Sequence, residues 1–234
     1  MSVLFPRWMN AVPTVLAVLS VGGLCTVVGG TWYYATPKFF RVGYMPTQPG
    51  GGFSHQVHAG KLGIDCRYCH TNVEDASEAN VPSVSTCYGC HADTRLRKLT
   101  EMPDHRTKTE FIRTAYMQDE AIAWRRVHKV PDYVRNFPHQ VHVRAGVSCY
   151  SCHGQITGMP IVNQVQPMSM GWCLDCHRNP DGNLVPGSIA GVTELIKVED
   201  YFETTPAAAR EEAGRRIIEQ LHLNPPENCG ACHY

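Results

Sequence analysis

Ten of the eleven cysteines in this 234-residue chain lie in five copies of one short pattern, Cys-x-x-Cys-His. Two thiols at this spacing can bond the two vinyl groups on one edge of a porphyrin, and the histidine that follows can bind the iron. The pattern is typical of covalent c-type haem attachment and predicts five c-type haems. The five attachment frames pair Cys66 with Cys69, Cys87 with Cys90, Cys149 with Cys152, Cys173 with Cys176 and Cys229 with Cys232, and their proximal iron ligands are His70, His91, His153, His177 and His233.

Zinc sites and a disulfide framework are the other interpretations of so many cysteines. A zinc ribbon needs two Cys-x-x-Cys pairs for each metal ion and no histidine after each pair, and a thioredoxin-like motif occurs singly. Neither explains a histidine after all five pairs. Cys25 lies outside the frames, in an apolar segment, where a small apolar role is expected.

Seven histidines lie outside the frames, and each iron needs a sixth ligand unless its site is open. Two His-x-x-His segments are informative, since residues three apart share one flank of a helix and can serve two neighbouring haems. We expect His55, His58, His139 and His142 to be distal ligands. The remaining distal ligand has two candidates, His128 and Met170, and a methionine ligand would raise the potential of its haem. His105 and His222 are expected to contact solvent or haem propionates, for which Arg67, Arg95, Arg97, Arg125, Arg126 and Arg178 are further candidates.

The chain repeats the unit Phe-x-His-Gln-Val-His followed by two frames, with a separation of 84 residues. This repeat predicts two related two-haem modules and a fifth haem at the C-terminus. The predicted first module with its connecting helix covers residues 53–135, the second module 136–180 and the tail 181–234.

The fold class expected is mostly α-helical and irregular, with haems as the core, because strand signals are sparse. A short helix is predicted over Gln118–Lys129. A second is predicted over Ala207–Leu221, where Pro206 lies at the first turn and apolar residues recur at helical spacing before Pro225.

The N-terminal segment is apolar and has no charged residue between Trp8 and Pro37. Residues 11–34 are numerous enough to cross a bilayer and are flanked by aromatic residues, so we expect a transmembrane anchor within residues 1–36, followed by a linker over 37–52. A cleaved signal peptide, the alternative, usually has a shorter apolar region. Bacterial c-type haem attachment occurs outside the cytoplasmic membrane, which predicts a cytoplasmic N-terminus and a haem domain on the periplasmic or outer face.

The charges balance, with 21 basic and 21 acidic side chains, which gives no electrostatic support for nucleic-acid binding. Densely packed haems with both axial positions filled can pass electrons but leave no position for a substrate. The chain is therefore not expected to be an enzyme by itself, but an electron relay beside a membrane, where the electron source would be a quinol.

The anchor, FSHQVHAGKLGIDCRYCH, VPSVSTCYGCH, RVHKVPDYVRNFPHQVHVRAGVSCYSCHG and MSMGWCLDCHR together resemble the pentahaem cytochrome c component of alternative complex III. The resemblance covers about residues 10–180. It implies an electron-transfer subunit of a quinol:electron-acceptor oxidoreductase that oxidises menaquinol. The implied partners are an iron–sulfur protein related to molybdopterin enzymes, quinol-binding membrane subunits and a monohaem cytochrome c subunit. Electrons would continue to a soluble cytochrome c, a blue-copper protein or an oxidase.

Three other interpretations stay open. A self-contained, membrane-anchored multihaem quinol dehydrogenase has a similar size, but its first frame follows the anchor more closely. A catalytic multihaem reductase needs an open iron or an altered frame, whereas all five frames here end in histidine. A haem subunit of a related quinone-reductase or molybdopterin complex would differ in haem count.

Overall fold

The computed structural model describes residues 6–40, 42–45, 52–96, 98, 102–130, 134, 137–187 and 193–233, and of residues 35–40 only the backbone. Residues 41 and 46–51 of the predicted linker lie outside these residues, as does Arg97. The described chain divides into two compact units, Met1–Val42 and Gly43–Tyr234.

The first unit is one long apolar helix. A 3₁₀ turn over Arg7–Ala11 leads into helix α1, Val12–Phe40. Residues Arg7–Tyr34 are long and apolar enough to cross a membrane, and none of their most apolar stretch is buried. The Thr26 hydroxyl donates to the carbonyl oxygen of Gly22 at 2.8 Å, which satisfies a polar group within the helix. This exposed apolar helix fits a single-pass membrane anchor and is not the core helix of a globular unit.

The second unit consists of short helices joined by irregular segments, with one isolated bridge between Val147 and Leu184 and no strand among the described residues. A π-helical turn, Gln56–Lys61, comes first. The α-helices are α2 (Cys66–Cys69), α3 (Val84–His91), α4 (Pro103–Lys108), α5 (Glu110–Met117), α6 (His139–Arg144), α7 (Cys149–His153), α8 (Met170–Arg178), α9 (Leu195–Thr204) and α10 (Ala207–Leu221). Short 3₁₀ turns cover Ile156–Gly158, Asp181–Asn183 and Cys229–Ala231. The described chain is thus mostly helical and irregular, as expected.

The helix predicted over Gln118–Lys129 is wrong. The chain instead forms α4, which starts with Pro103 at its first turn, and then α5, which ends before Gln118. Asp119 has a φ of 54°, in the left-handed region, and the backbone N–H of Glu120 closes the end by donating to the carbonyl oxygen of Ala115. The helix cannot continue through Asp119, so the connection to the second His-x-x-His segment is irregular.

The C-terminal segment packs on the second half of the unit. Helix α10 covers the predicted residues, Ala207–Leu221, and Gly214 lies so close to the turn at Asp181 that a Cβ there would overlap the Asp181 carbonyl oxygen. A small apolar core forms nearby from Val185, Val198 and Tyr201, against which Tyr150 and Phe202 pack. The described residues of this segment, 181–187 and 193–221, therefore support the segment that carries the third and fourth frames.

A second close approach joins the two halves of the unit. Gly60, in the π-helical turn, lies against the backbone of Thr157, and any side chain at position 60 would overlap the Thr157 carbonyl oxygen. The Thr157 hydroxyl donates at 2.5 Å to the buried carboxylate of Glu199 in α9. The segment that carries His55 and His58 is thereby fixed against residues that follow the third frame.

Candidate haem-binding sites

Each frame lies in a helical turn, which places its two cysteines on one flank. Side-chain oxygens cap several of these turns: Asp65 accepts from the N–H of Arg67, Ser148 from that of Tyr150, and Ser169 from that of Trp172. All ten frame cysteines are free thiols. Among the described residues, no three His, Cys, Asp or Glu side chains converge on a possible metal-ion site. The ten thiols thus occur two to a frame, with a histidine directly after each pair.

Two proximal histidines are oriented by backbone carbonyl groups. The Nδ1 of His70 lies 2.6 Å from the carbonyl oxygen of Asn80, and that of His177 lies 2.6 Å from the carbonyl oxygen of Pro226. A carbonyl can only accept, so Nδ1 donates in both cases and Nε2 keeps its lone pair. Metal-binding histidines are commonly fixed in this tautomer by such a hydrogen bond.

The two His-x-x-His segments have nearly the same local geometry. The ring of Phe53 stacks on His58 at 4.4 Å and 24°, and Phe137 stacks on His142 at 4.4 Å and 24°. The Nδ1 atoms of His58 and His142 donate to the carbonyl oxygens four residues earlier, at 2.9 and 3.0 Å. Both second histidines therefore present Nε2 in the same way.

Three histidine pairs lie at the spacing expected of two ligands on one iron. With a metal–imidazole bond of about 2.0–2.1 Å, two trans imidazoles have ring centroids roughly 6.3 Å apart. The centroids of His55 and His70 are 6.5 Å apart, those of His58 and His91 6.1 Å, and those of His142 and His177 6.1 Å. Each pair joins a predicted distal ligand to a predicted proximal one.

The third frame has two histidines near its proximal His153. The ring of His128 lies edge-on to that of His153, with the two ring centroids 4.2 Å apart. His139 is an electrostatic neighbour of His153. His139 is held from the first half of the unit, because its Nδ1 donates at 2.7 Å to the carbonyl oxygen of Ser77. The described contacts thus place His128 beside the third frame.

Burial keeps several of these imidazoles neutral, which is the form that binds a metal. Desolvation by burial is the main cause that lowers the pKa of His55 to about 4, and the neighbouring His70 and His58 lower it further. Desolvation also lowers the pKa of His128 to about 4, against a backbone hydrogen bond with Asn163 that raises it. The buried Nε2 of His128 has no hydrogen-bond partner among the described residues.

Beside the second frame lies a histidine that was expected to contact solvent or haem propionates and was not a ligand candidate. His105 lies with its ring centroid 5.5 Å from that of His91, and its buried Nε2 has no partner in the described part of the chain. The duplicated pattern has no equivalent histidine after the fourth frame. Hence the repeat could not reveal it, and His105 lies in the first turn of α4, a helix that the sequence pattern did not predict.

The other candidate residues lie in different surroundings. Met170 is 62% exposed at the start of α8, and His222 ends α10 in a left-handed conformation. Among the arginines, Arg67 pairs with Asp65, Arg178 with Glu227 at 2.9 Å, and Arg126 donates to the carbonyl oxygen of His128.

No protein-family profile matches the chain. The menaquinone reductase, multihaem cytochrome c subunit of Nitratidesulfovibrio vulgaris is 31% identical to it over 133 residues. The aligned stretch covers 57% of this chain, and the chain spans 56% of the length of that curated relative. The relative is by its name a multihaem cytochrome c, so the similarity agrees with the chemistry that the thiol pairs and histidine pairs favour.

Proposed function

We propose that the chain is a membrane-anchored, five-haem c-type cytochrome that relays electrons within a menaquinone-linked oxidoreductase complex and performs no bond chemistry itself. The observation that carries this proposal is the set of opposed imidazole pairs, above all His55 with His70 at 6.5 Å. At the first, second and fourth frames, imidazoles on both faces of the iron would leave no open position for a substrate. The relative that is named a menaquinone reductase subunit supports the quinone-linked setting.

The frames hold the cofactor through the ten cysteine thiols, with His70, His91, His153, His177 and His233 as proximal ligands. Each covalently held haem supplies an iron that accepts or gives up one electron. We assign His55 to the first frame, His58 to the second and His142 to the fourth on their ring distances. His139, which the repeat makes equivalent to His55, is assigned to the third frame, beside which His128 also lies.

The direction of electron flow has two candidates. The resemblance to alternative complex III favours menaquinol oxidation, in which menaquinol loses two electrons and two protons on other subunits and this chain carries the electrons away singly. An iron–sulfur subunit, quinol-binding membrane subunits and a monohaem cytochrome c would then be its partners. The name of the Nitratidesulfovibrio relative favours the reverse direction, the reduction of menaquinone. In both cases α1 would anchor the chain, with the frames outside the cytoplasmic membrane.

The proposal is tested on the complex purified from membranes and on the isolated full-length chain. Mass spectrometry and a haem assay should show five covalent haems, and ferric spectra should show low-spin irons that bind no cyanide or nitrite. A menaquinol analogue should reduce the haems of the complex but not those of the isolated chain. Reduction of the isolated chain would make it a quinol dehydrogenase, and a high-spin iron that binds nitrite would indicate an enzyme. Oxidation of a reduced complex by menaquinone, without reduction by menaquinol, would establish the reverse direction.

A further inference from the structure

The first and second frames are neighbours because one turn of chain serves both. His55 and His58 flank the start of the π-helical turn, and they lie opposite His70 and His91, respectively. The thiols agree with this placement. The thiol of Cys69 in the first frame is an electrostatic neighbour of that of Cys90 in the second.

The first frame also adjoins the third, across the two halves of the unit. The thiols of Cys66 and Cys149 are neighbours, and the thiol of Cys66 also lies 3.5 Å from the Thr193 carbonyl oxygen. The loop that follows the first frame holds the second His-x-x-His segment: the backbone N–H of His139 donates to the Ser77 carbonyl oxygen at 3.1 Å, and that of Gln140 to the Ala76 carbonyl oxygen at 3.2 Å. The third frame therefore lies next to the first one.

The third and fourth frames are neighbours through α6. This helix carries His139, a neighbour of His153, and His142, which lies 6.1 Å from His177. The thiol of Cys152 in the third frame is an electrostatic neighbour of those of Cys176 and Cys173 in the fourth. The third and fourth frames thus lie beside histidines of one short helix, as the first and second frames lie beside histidines at the π-helical turn.

The fourth frame adjoins the fifth through the segment that precedes Cys229. The Nδ1 of His177 donates to the Pro226 carbonyl oxygen at 2.6 Å, and Arg178 pairs with Glu227 at 2.9 Å. The thiol of Cys173 in the fourth frame is an electrostatic neighbour of that of Cys232 in the fifth. These contacts complete a series in which each frame meets the next.

We propose that the five frames form one row in the order second, first, third, fourth, fifth, so that electrons enter and leave at the second and fifth frames. This inference rests on the proposed relay function. Chain order would put the first frame at an end, whereas the contacts put it in the interior of the row, against the third. Exposure supports the assignment of the ends independently: of the ten frame cysteines, Cys90 and Cys229 are exposed, and they belong to the second and fifth frames.

The order is tested by injecting electrons at the fifth frame of the full-length chain. A ruthenium photosensitiser is attached through Asn224→Cys, an exposed position five residues before Cys229, in a Cys25→Ser background. Two variants are compared, Cys66→Ala/Cys69→Ala without the first haem and Cys87→Ala/Cys90→Ala without the second. The readout is the fraction of haem reduced in the fast phase of illumination with a sacrificial donor.

In the proposed row, loss of the first haem isolates the second, so about three of the four remaining haems should be reduced rapidly. Loss of the second haem removes only an end, so all remaining haems should respond. The reverse result would establish chain order, and a complete fast phase in both variants would establish a branched arrangement; either overturns the proposal. Because the electrons come from the photosensitiser, the outcome does not depend on quinol or on the direction of physiological flow.

If either variant loses further haems, which mass spectrometry would show, the order is read from the unaltered complex by electron cryo-microscopy. The iron of the second frame should then lie next to that of the first and at one end of the row. An iron of the second frame between those of the first and third frames would overturn the proposal. A haem count other than five would instead contradict the proposed function and leave the order of the frames to be judged from the same map.

Discussion

The rings of His55 and His70 are parallel within 4°, and their centroids are 6.5 Å apart. His55 precedes the π-helical turn, whereas His70 follows α2 and is fixed by the carbonyl oxygen of Asn80 at 2.6 Å. Two segments of different local structure thus bring two imidazoles to the distance of trans ligands on one iron. The space between the rings has the width that an iron with two imidazole ligands needs.

Replacing His55 with alanine should therefore convert one ferric haem from low spin to high spin. The imidazole ring lies 6.5 Å from that of His70, the proposed proximal ligand of the first frame, and alanine cannot bind iron. Electron paramagnetic resonance of the full-length protein should show one low-spin iron fewer. The control is His222→Ala, which alters an exposed histidine at the end of α10. An unchanged low-spin count in His55→Ala would rule out His55 as the ligand.

The second frame allows a comparison of two histidines that lie near the same proximal ligand, His91. The His58–His91 distance of 6.1 Å equals that of the corresponding pair at the fourth frame, His142–His177, whereas His105 lies closer to His91, at 5.5 Å. We expect His58→Ala to produce one high-spin iron and His105→Ala to leave the spin states unchanged. The opposite pattern would make His105 the distal ligand and break the equivalence of the two His-x-x-His segments.

At the third frame, mutation can distinguish His139 from its neighbour His128, and Met170, the other candidate for the remaining distal ligand, can be tested beside them. His139→Ala should give one high-spin iron, because the repeat makes it the equivalent of His55. Met170→Leu should leave every haem spectrum and potential unchanged, since this side chain is 62% exposed. A low-spin iron that persists in His139→Ala but disappears in His128→Ala would transfer the ligand role to His128.

The sequence was sufficient for features that depend on local pattern. The attachment frames follow from residue type and spacing, and both the apolar N-terminal helix and Ala207–Leu221 follow from long, regular patterns. The helix predicted over Gln118–Lys129 failed because the left-handed Asp119 interrupts it, and neither Asp nor its neighbours make that conformation obligatory.

The order of the frames was beyond sequence reasoning for a different reason. It depends on contacts between distant residues, such as the thiols of Cys66 and Cys149 and the backbone contact of Gly60 with Thr157. The spacing of residue types along the sequence gives no information about such a contact. The repeat itself suggests chain order, in which each module keeps its own two frames and the modules simply follow one another.

Asp65 is expected to stabilise the first frame through both its cap and its charge. Its side chain accepts from the N–H of Arg67 at 2.8 Å and from the Thr193 hydroxyl at 3.1 Å. Burial raises the pKa of this carboxyl, but the hydrogen bonds from Arg67 and Thr193 outweigh it and leave the pKa lowered. Asp65→Ala should reduce the free energy of unfolding by about 0.5–2 kcal/mol, and Asp65→Asn by less, because asparagine can still cap.

The pH dependence isolates the charge. Since the pKa is lower in the folded state, the charge stabilises the protein fully above the unfolded pKa of about 4 and loses its effect as the pH falls further. The difference between the wild type and Asp65→Asn in denaturant unfolding should thus be constant near neutral pH and vanish in acid. A difference that grows in acid would show that the charge is not the stabilising feature.

Replacing Gly214 with alanine tests whether α10 is fixed against the turn over Asp181–Asn183. An added Cβ would overlap the backbone of Asp181, and since both partners are main chain, neither can rotate away. Alanine favours a helix over glycine by about 1 kcal/mol, whereas overpacking costs about 1–3 kcal/mol, so Gly214→Ala should be destabilising overall. The control is Gly187→Ala, where no atom lies within 4 Å of the new Cβ and the effect should stay within about 0.5 kcal/mol. Thermal unfolding followed by circular dichroism measures both, and a Gly214→Ala protein as stable as the wild type would show that α10 does not pack on this turn.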